Sequence, residues 1–184
     1  YRVKIFGSEN IPEHGFILSA NHTSMRDVLV LSASMNKRRL RYMAKKELFK
    51  VFGFGALIRG LGAFPVDRGG ADVTSIKNTL SLLDDGEVVM LFPQGTRHKN
   101  INPRTTPVKN GVGMIAGRSG APVLPVYIKS KNNHVIPFHK TIVIIGKAAT
   151  AAEMCGEENI KNYPMIAREI FSRICTLGEE FKPE

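Results

Sequence analysis

The stretch Val88-Val89-Met90-Leu91-Phe92, bounded by Glu87 and Pro93, is an apolar run with no polar position in it. A strand with one wet face alternates apolar and polar side chains. A run without alternation needs cover on both faces, the setting of a strand inside a largely parallel sheet with helices above and below. Residues 87–92 therefore read as a buried strand, and the segment that follows from Pro93 emerges at its carboxyl end. In open α/β sheets ligands usually sit there.

The rest of the chain fits that setting. Arg2 to Phe6, Phe16 to Ala20, Arg41 to Ala44, Ala63 to Val66, Val123 to Ile128 and Thr141 to Gly146 read as further short strands. Helices are expected from Ser24–Asp27 through Met35, from Asp72 to Asp85 with Gly86 as its stop, from Asn110 to Arg118, and from Tyr163 to Leu177. In the second of these Val73, Ile76, Leu80 and Leu83 are expected on the buried face; in the last, Ile166, Ile170 and Ile174 recur at helical spacing. Strands alternating with helices predict an α/β fold: a single domain over 1–184, with a mostly parallel or mixed central sheet of about seven strands flanked by helices.

Composition narrows the partners. Of 184 residues, 43% are hydrophobic and 23% charged, the balance of a folded domain. Lys and Arg outnumber Asp and Glu by 26 to 16, and a net charge of +10 favours an anionic partner: nucleic acid, a phospholipid surface or a phosphorylated substrate. Cys155 and Cys175 form neither a disulfide framework nor a zinc-ligand pair, so a reducing compartment is expected. No uncharged run reaches the roughly 18 to 20 residues that span a bilayer, and no signal peptide is expected. The chain starts at Tyr1, without methionine and directly before a strand, which leads us to expect a preceding segment able to hold a membrane anchor.

Chemistry concentrates in two segments. The first is Asn21-His22-Thr23-Ser24-Met25-Arg26-Asp27. On one continuous helix, residues five apart point about 140° away from each other, because each residue turns the chain by about 100°. If His22 lies instead on the turn after strand Phe16–Ala20, and Asp27 in the first turn of the next helix, the loop folds them together. Asp27 then orients the ring and His22 takes a proton, an arrangement like a catalytic triad without its serine, in which the substrate's own hydroxyl is the nucleophile. Taken alone, the pair is equally a helix cap followed by a first-turn carboxylate. The second segment, Phe92-Pro93-Gln94-Gly95-Thr96-Arg97, sets backbone N–H groups, a hydroxyl and a guanidinium where they can meet a phosphate. Gly62 to Arg68 places another arginine just after a strand, and Ala121-Pro122-Val123-Leu124-Pro125 reads as a strand entrance.

Four segments in this order resemble the motifs of the glycerolipid acyltransferase family, of the bacterial 1-acyl-glycerol-3-phosphate acyltransferase type. Asn21, His22, Ser24 and Asp27 match its N-H-x-S-x-x-D motif, and Gly62 to Arg68 its second, which ends in arginine. Phe92, Pro93, Gly95, Thr96 and Arg97 match F-P-E-G-T-R, and Ala121 to Pro125 the proline-bearing strand. The resemblance implies His22 as general base, Asp27 as its orienting partner, and Arg68 and Arg97 as ligands of the acceptor phosphate. Gln94, Gly95, Thr96 and Lys109 are implied as further parts of the substrate cradle. It implies acyl transfer from acyl-CoA or acyl carrier protein to a lysophospholipid hydroxyl, making phosphatidic acid, with no metal and no cofactor beyond the thioester co-substrate.

Gln94 departs from the motif, which has glutamate there. A carboxamide keeps an acceptor oxygen but loses the charge and gains a donor. With His22 as the base, retained activity is expected; the alternative is a phospholipid-binding module without turnover. Arg26 is a possible competitor for Asp27. The stretch from Arg38 to Phe54 mixes cations with Phe, Leu and Val, which suits an anionic membrane surface, or equally a helix packed on the sheet with a solvated basic face. A peripheral or monotopic place on the cytoplasmic face of the membrane is expected. No recognition motif supports nucleic-acid binding.

Overall fold

The computed structural model describes residues 2–35, 38–66, 73–136 and 139–182. In chain order its elements are β1 (Arg2–Phe6), β2 (Ile17–Ala20), α1 (Asp27–Ser34), β3 (Leu40–Lys45), α2 (Phe54–Gly60), β4 (Ala63–Val66) and α3 (Val73–Asp84). There follow β5 (Val88–Leu91), α4 (Gly111–Ser119), β6 (Val123–Ser130), β7 (Lys140–Ile145), α5 (Ala151–Cys155) and α6 (Tyr163–Glu180). The strands form one sheet in the order β1-β7-β6-β2-β5-β3-β4. From β6 to β4 all neighbours are parallel, and the β6–β7 pair is the antiparallel seam that makes the sheet mixed.

Connection handedness decides which helices lie on which face. The chain steps one way along the sheet from β2 to β3 through α1 and on to β4 through α2. It steps back from β4 to β5 through α3 and from β5 to β6 through α4. Right-handed crossovers that step in opposite directions put their helices on opposite faces. Two cores result. Phe16, Leu18, Ala20, Val88 and Met90 meet Val30 and Leu31 of α1 and Ile58 of α2 on one face. Ile17 and Val89 meet Leu83, Ile115, Ile170 and Ile174 from α3, α4 and α6 on the other. Successive residues of β5 thus enter different cores, which is the physical reason for its run without a polar position.

The same reversal creates the crevice. β2 and β5 are adjacent, yet the connection leaving β2 goes to one face and that leaving β5 to the other, so their carboxyl ends open between the two paths. Asn21 to Asp27 and Phe92 to Arg97 are those two connections.

Some details differ from expectation. In α3 the buried positions are Ser75, Thr79 and Leu83, with Ile76 and Leu80 partly buried, whereas Val73 stands 57% exposed at the helix start. The Arg38–Phe54 stretch is not one helix. It enters the sheet as β3, with alternating burial, and then tightens into a 3-10 turn over Lys46–Lys50. Helix α2, with glycines at 55 and 60, carries little intrinsic helical signal and is held by Ile58 in the core. Pro125 lies inside β6, where its missing N–H falls between the Val126–Ile145 end of the β7 ladder and an isolated Val123–Ala149 bridge. Among the described residues no helix is long and apolar enough to cross a membrane.

Candidate active site

Asp27 is the first residue of α1 and is fully buried. Its Oδ2 accepts from the Thr23 N–H at 2.6 Å, the Ser24 N–H at 2.8 Å and His22 Nδ1 at 2.9 Å, and its Oδ1 accepts from the Thr23 hydroxyl at 3.2 Å. A carboxylate removed from water needs this density of donors. The loop 22–26 is wound around the carboxylate, which closes the five-residue gap that a continuous helix would hold open. Arg26 supplies none of these bonds; its own N–H donates to Ser24 Oγ at 3.2 Å.

Because Asp27 can only accept, Nδ1 carries the proton, and Nε2 is left with its lone pair. The imidazole is 15% exposed. It stacks on Phe92, with ring centroids 3.9 Å apart and planes 13° from parallel. The main chain of His22 is held on both sides by the connection after β5: its N–H donates to Gln94 Oε1 at 2.6 Å, and its carbonyl accepts from the His98 N–H at 2.9 Å. Asn21 supplies a third anchor. Its buried carboxamide accepts from the Ile128 N–H at 2.7 Å and donates to the Ile128 carbonyl at 3.1 Å, continuing the β2–β6 pairing one step past the strand end.

Gln94 is only 1% exposed. While its Oε1 holds His22, its Nε2 donates to Thr106 Oγ1 at 2.7 Å, and that hydroxyl donates to the Pro103 carbonyl at 2.6 Å. The turn bearing Thr106 is tied in turn to α6 by Arg104, whose guanidinium reaches both carboxylate oxygens of Glu179, at 2.9 and 2.6 Å, as well as Ser172 and Thr176. Gln94 is therefore a beam inside the site, with both ends of its amide engaged by protein.

Gly95, Thr96 and Arg97 face solvent beside it. A tight turn closed by the Gly95 N–H on the Phe92 carbonyl at 3.0 Å brings them out of the sheet, and Gly95 adopts a positive φ of 68°. The Lys109 stem crosses Gly95 so closely that a Cβ there would lie 3.0 Å from Lys109 Cγ. The Lys109 N–H donates to the Pro93 carbonyl at 2.7 Å, which fixes that crossing. Among the described residues Arg97 has no ion-pair partner, so an exposed guanidinium and an exposed ammonium flank one glycine turn next to the imidazole. Arg68 lies outside the described residues. Thr106 belongs to the site although nothing in the sequence singles it out; no spacing rule links Gln94 to a threonine twelve residues on.

Sheet topology and site geometry together place the chain in a class: an α/β protein with a carboxylate-oriented histidine and a basic turn at a topological switch point. The Acyltransferase family profile matches residues 2–129. The 1-acyl-sn-glycerol-3-phosphate acyltransferase of Bacillus subtilis is 34% identical over 154 residues, covering 82% of this chain and 75% of that protein. The protein of the same name from Streptococcus pneumoniae is 33% identical over 122 residues, 65% of this chain and 44% of the relative. The crystal structure of the 1-acyl-sn-glycerophosphate acyltransferase PlsC from Thermotoga maritima superposes with a TM-score of 0.73 at 27% identity, over 99% of this chain and 74% of that one. The chain belongs to the acyltransferase family.

Proposed function

We propose that the chain moves a fatty acyl group from the thioester of coenzyme A or acyl carrier protein to the free hydroxyl of 1-acyl-glycerol-3-phosphate, forming phosphatidic acid. The observation that carries this reading is the 2.9 Å contact between His22 Nδ1 and the buried Asp27, which leaves Nε2 as the acceptor beside an exposed cationic turn. Nε2 takes the proton from the acceptor hydroxyl as its oxygen attacks the thioester carbonyl. Asp27 keeps the ring in the right tautomer and stabilises the positive charge that forms on it. The tetrahedral intermediate collapses with cleavage of the C–S bond, and the imidazolium returns its proton to the departing thiol. Atoms and charge balance without a covalent enzyme intermediate, a metal or a further cofactor.

Arg97, with Lys109 across the Gly95 turn and Arg68 as a further candidate, binds the acceptor phosphate, and Thr96 adds a hydroxyl to that cradle. Gln94 takes a different part from its neighbours: it sets the His22 main chain and does not reach substrate. Nothing in that task requires a negative charge, which supports turnover with glutamine in place and weighs against a binding module without activity. Such a reaction draws its acceptor from a bilayer, so the chain works at the cytoplasmic surface of a membrane.

The test is acceptor-dependent release of free thiol from acyl-CoA and from acyl carrier protein, read for the native chain and for His22→Ala across lysophosphatidate and other lysophospholipids. Turnover confined to lysophosphatidate and lost in His22→Ala is expected. Equal rates in the two chains would remove His22 as the base, and preference for an uncharged headgroup would remove the phosphate cradle.

A further inference from the structure

After β3 the chain turns large apolar side chains into solvent. Phe52 is 102% exposed and Val51 54%, and on the following helical row Leu57 is 58% and Leu61 42% exposed. These residues are neighbours. The Leu57 N–H bonds to the Gly53 carbonyl and the Leu61 N–H to that of Leu57, so positions 53, 57 and 61 stack along one side of α2, with Phe52 and Val51 at its head. An apolar cluster of this kind marks an interaction site on a folded protein.

Charge identifies the partner. Residues 38–61 contain seven Lys and Arg against one acid, Glu47, so this short stretch contributes +6 of the chain's +10. Lys45 is 57% exposed, with Glu47 3.7 Å away, and the Arg59 guanidinium lies 5.3 Å above the Phe49 ring with its charge at the surface. Bulky apolar groups at a tip, ringed by cations, match the layering of an anionic bilayer, with acyl chains inside and phosphates at the rim. Position agrees. β3 is parallel to β2 and β5, so the segment leaves the sheet at the edge where His22 lies, and α2 covers the same face as α1.

We propose that residues 45–61 are the docking surface of the chain on an anionic phospholipid bilayer, with Val51 and Phe52 inserted at the acyl-chain boundary and Lys45, Lys50 and Arg59 on headgroup phosphates. The docked orientation brings the His22 edge towards the leaflet that holds the acceptor. That orientation rests on the proposed transfer to a lysophospholipid, whereas docking itself is measured without turnover.

The experiment is co-sedimentation of the chain with vesicles of equal parts phosphatidylglycerol and phosphatidylcholine, and with phosphatidylcholine alone. Three variants, Phe52→Ser, Leu57→Gln and Lys50→Gln, are run beside the native chain, and thiol release is followed on both a vesicle-embedded and a short-chain soluble lysophosphatidate. The native chain is expected to sediment with the anionic vesicles and to be released by salt. Phe52→Ser should weaken binding about tenfold or more, the loss expected for one large apolar side chain kept in water. Lys50→Gln should weaken it about fivefold. Turnover on the soluble acceptor should be unchanged in all variants, and that on vesicles should fall with binding. Native-like sedimentation of both apolar variants, no sedimentation of the native chain, or a native dimer that Phe52→Ser dissociates would each overturn the proposal. Vesicle binding without turnover on either acceptor would instead sink the enzymatic reading and leave docking standing.

Discussion

Gln94 grips His22 by its main chain: Gln94 Oε1 lies 2.6 Å from the His22 nitrogen, while Gln94 Nε2 donates to Thr106 Oγ1 at 2.7 Å. A carboxylate at position 94 still accepts from His22 but cannot donate to Thr106. The threonine hydroxyl must then leave the Pro103 carbonyl to serve it, and a second negative charge is buried near Asp27. Gln94→Glu is therefore expected to retain most of its turnover while losing about 1–3 kcal/mol of unfolding free energy, the cost of a stranded buried polar group. Urea denaturation measures the second quantity, and a Glu variant more stable than the native chain would contradict the geometry. Gln94→Ala frees the His22 main chain and should lower kcat about tenfold or more, with little change in KM.

Asp27→Asn keeps the shape of the side chain but replaces one acceptor oxygen with NH2 and removes the charge. With its oxygen in the Oδ2 position the amide still accepts from Nδ1 and both loop N–H groups, and its NH2 meets the Thr23 hydroxyl, which turns to accept; what is lost is the negative charge beside the imidazole. The expected outcome is a fall in kcat of roughly 10²–10⁴-fold, as the imidazolium formed in the reaction loses its counter-charge, with the acceptor KM nearly unchanged. A large rise in KM with intact kcat would reassign Asp27 to substrate binding.

Arg97 and Lys109 should show the opposite split. Neither touches the dyad, so Arg97→Ala is expected to raise the KM for lysophosphatidate roughly tenfold to a hundredfold, the range for losing one charge-assisted bond, and to leave the KM for acyl-CoA in place. Arg97→Lys should recover only part of it, because the planar fork is lost. An acyl-CoA-specific defect would place the guanidinium on the donor instead.

Alkaline pH should weaken the fold through α6, β6 and β3. Burial pushes the Cys175 thiol from 9.0 up to about 11, and burial likewise raises the Tyr127 and Tyr42 hydroxyls. The native state favours the protonated, neutral form of each, so its contribution is complete below the unfolded pKa and is lost as pH rises through the native one. The urea midpoint should hold steady from neutrality to about pH 9 and fall between about 9 and 11, less steeply in Cys175→Ala. Cys155 and Cys175 are both buried and free. Mass spectrometry after iodoacetamide treatment at neutral pH should find both unmodified until the chain is denatured.

The order of strands and helices was legible because each carries a local signal: the apolar parity of Val88–Leu91, the row of Ile166, Ile170 and Ile174, the stop at Gly86. Elements held by tertiary contact alone were not. Helix α2, with its glycines and Ile58 in the core, carries no such signal, and Val73, on the apolar row of α3, stands exposed at the helix start.

For the site, His22, Asp27 and the Pro93–Arg97 turn stand out in sequence because their spacing brackets a strand end on each side. Sequence by itself determined the α/β class, the residue types of a base and an anion cradle, and the basic apolar stretch after β3. Tertiary structure alone decided how those parts meet. The reversal of crossover direction between β2 and β5 opened the crevice. Burial of Asp27 demanded that the loop 22–24 wrap it, and Gln94 found its donor and acceptor in His22 and Thr106, residues 72 and 12 positions away. Hydrogen-bond partners at such separations follow from the path of the chain in space, which no local pattern encodes.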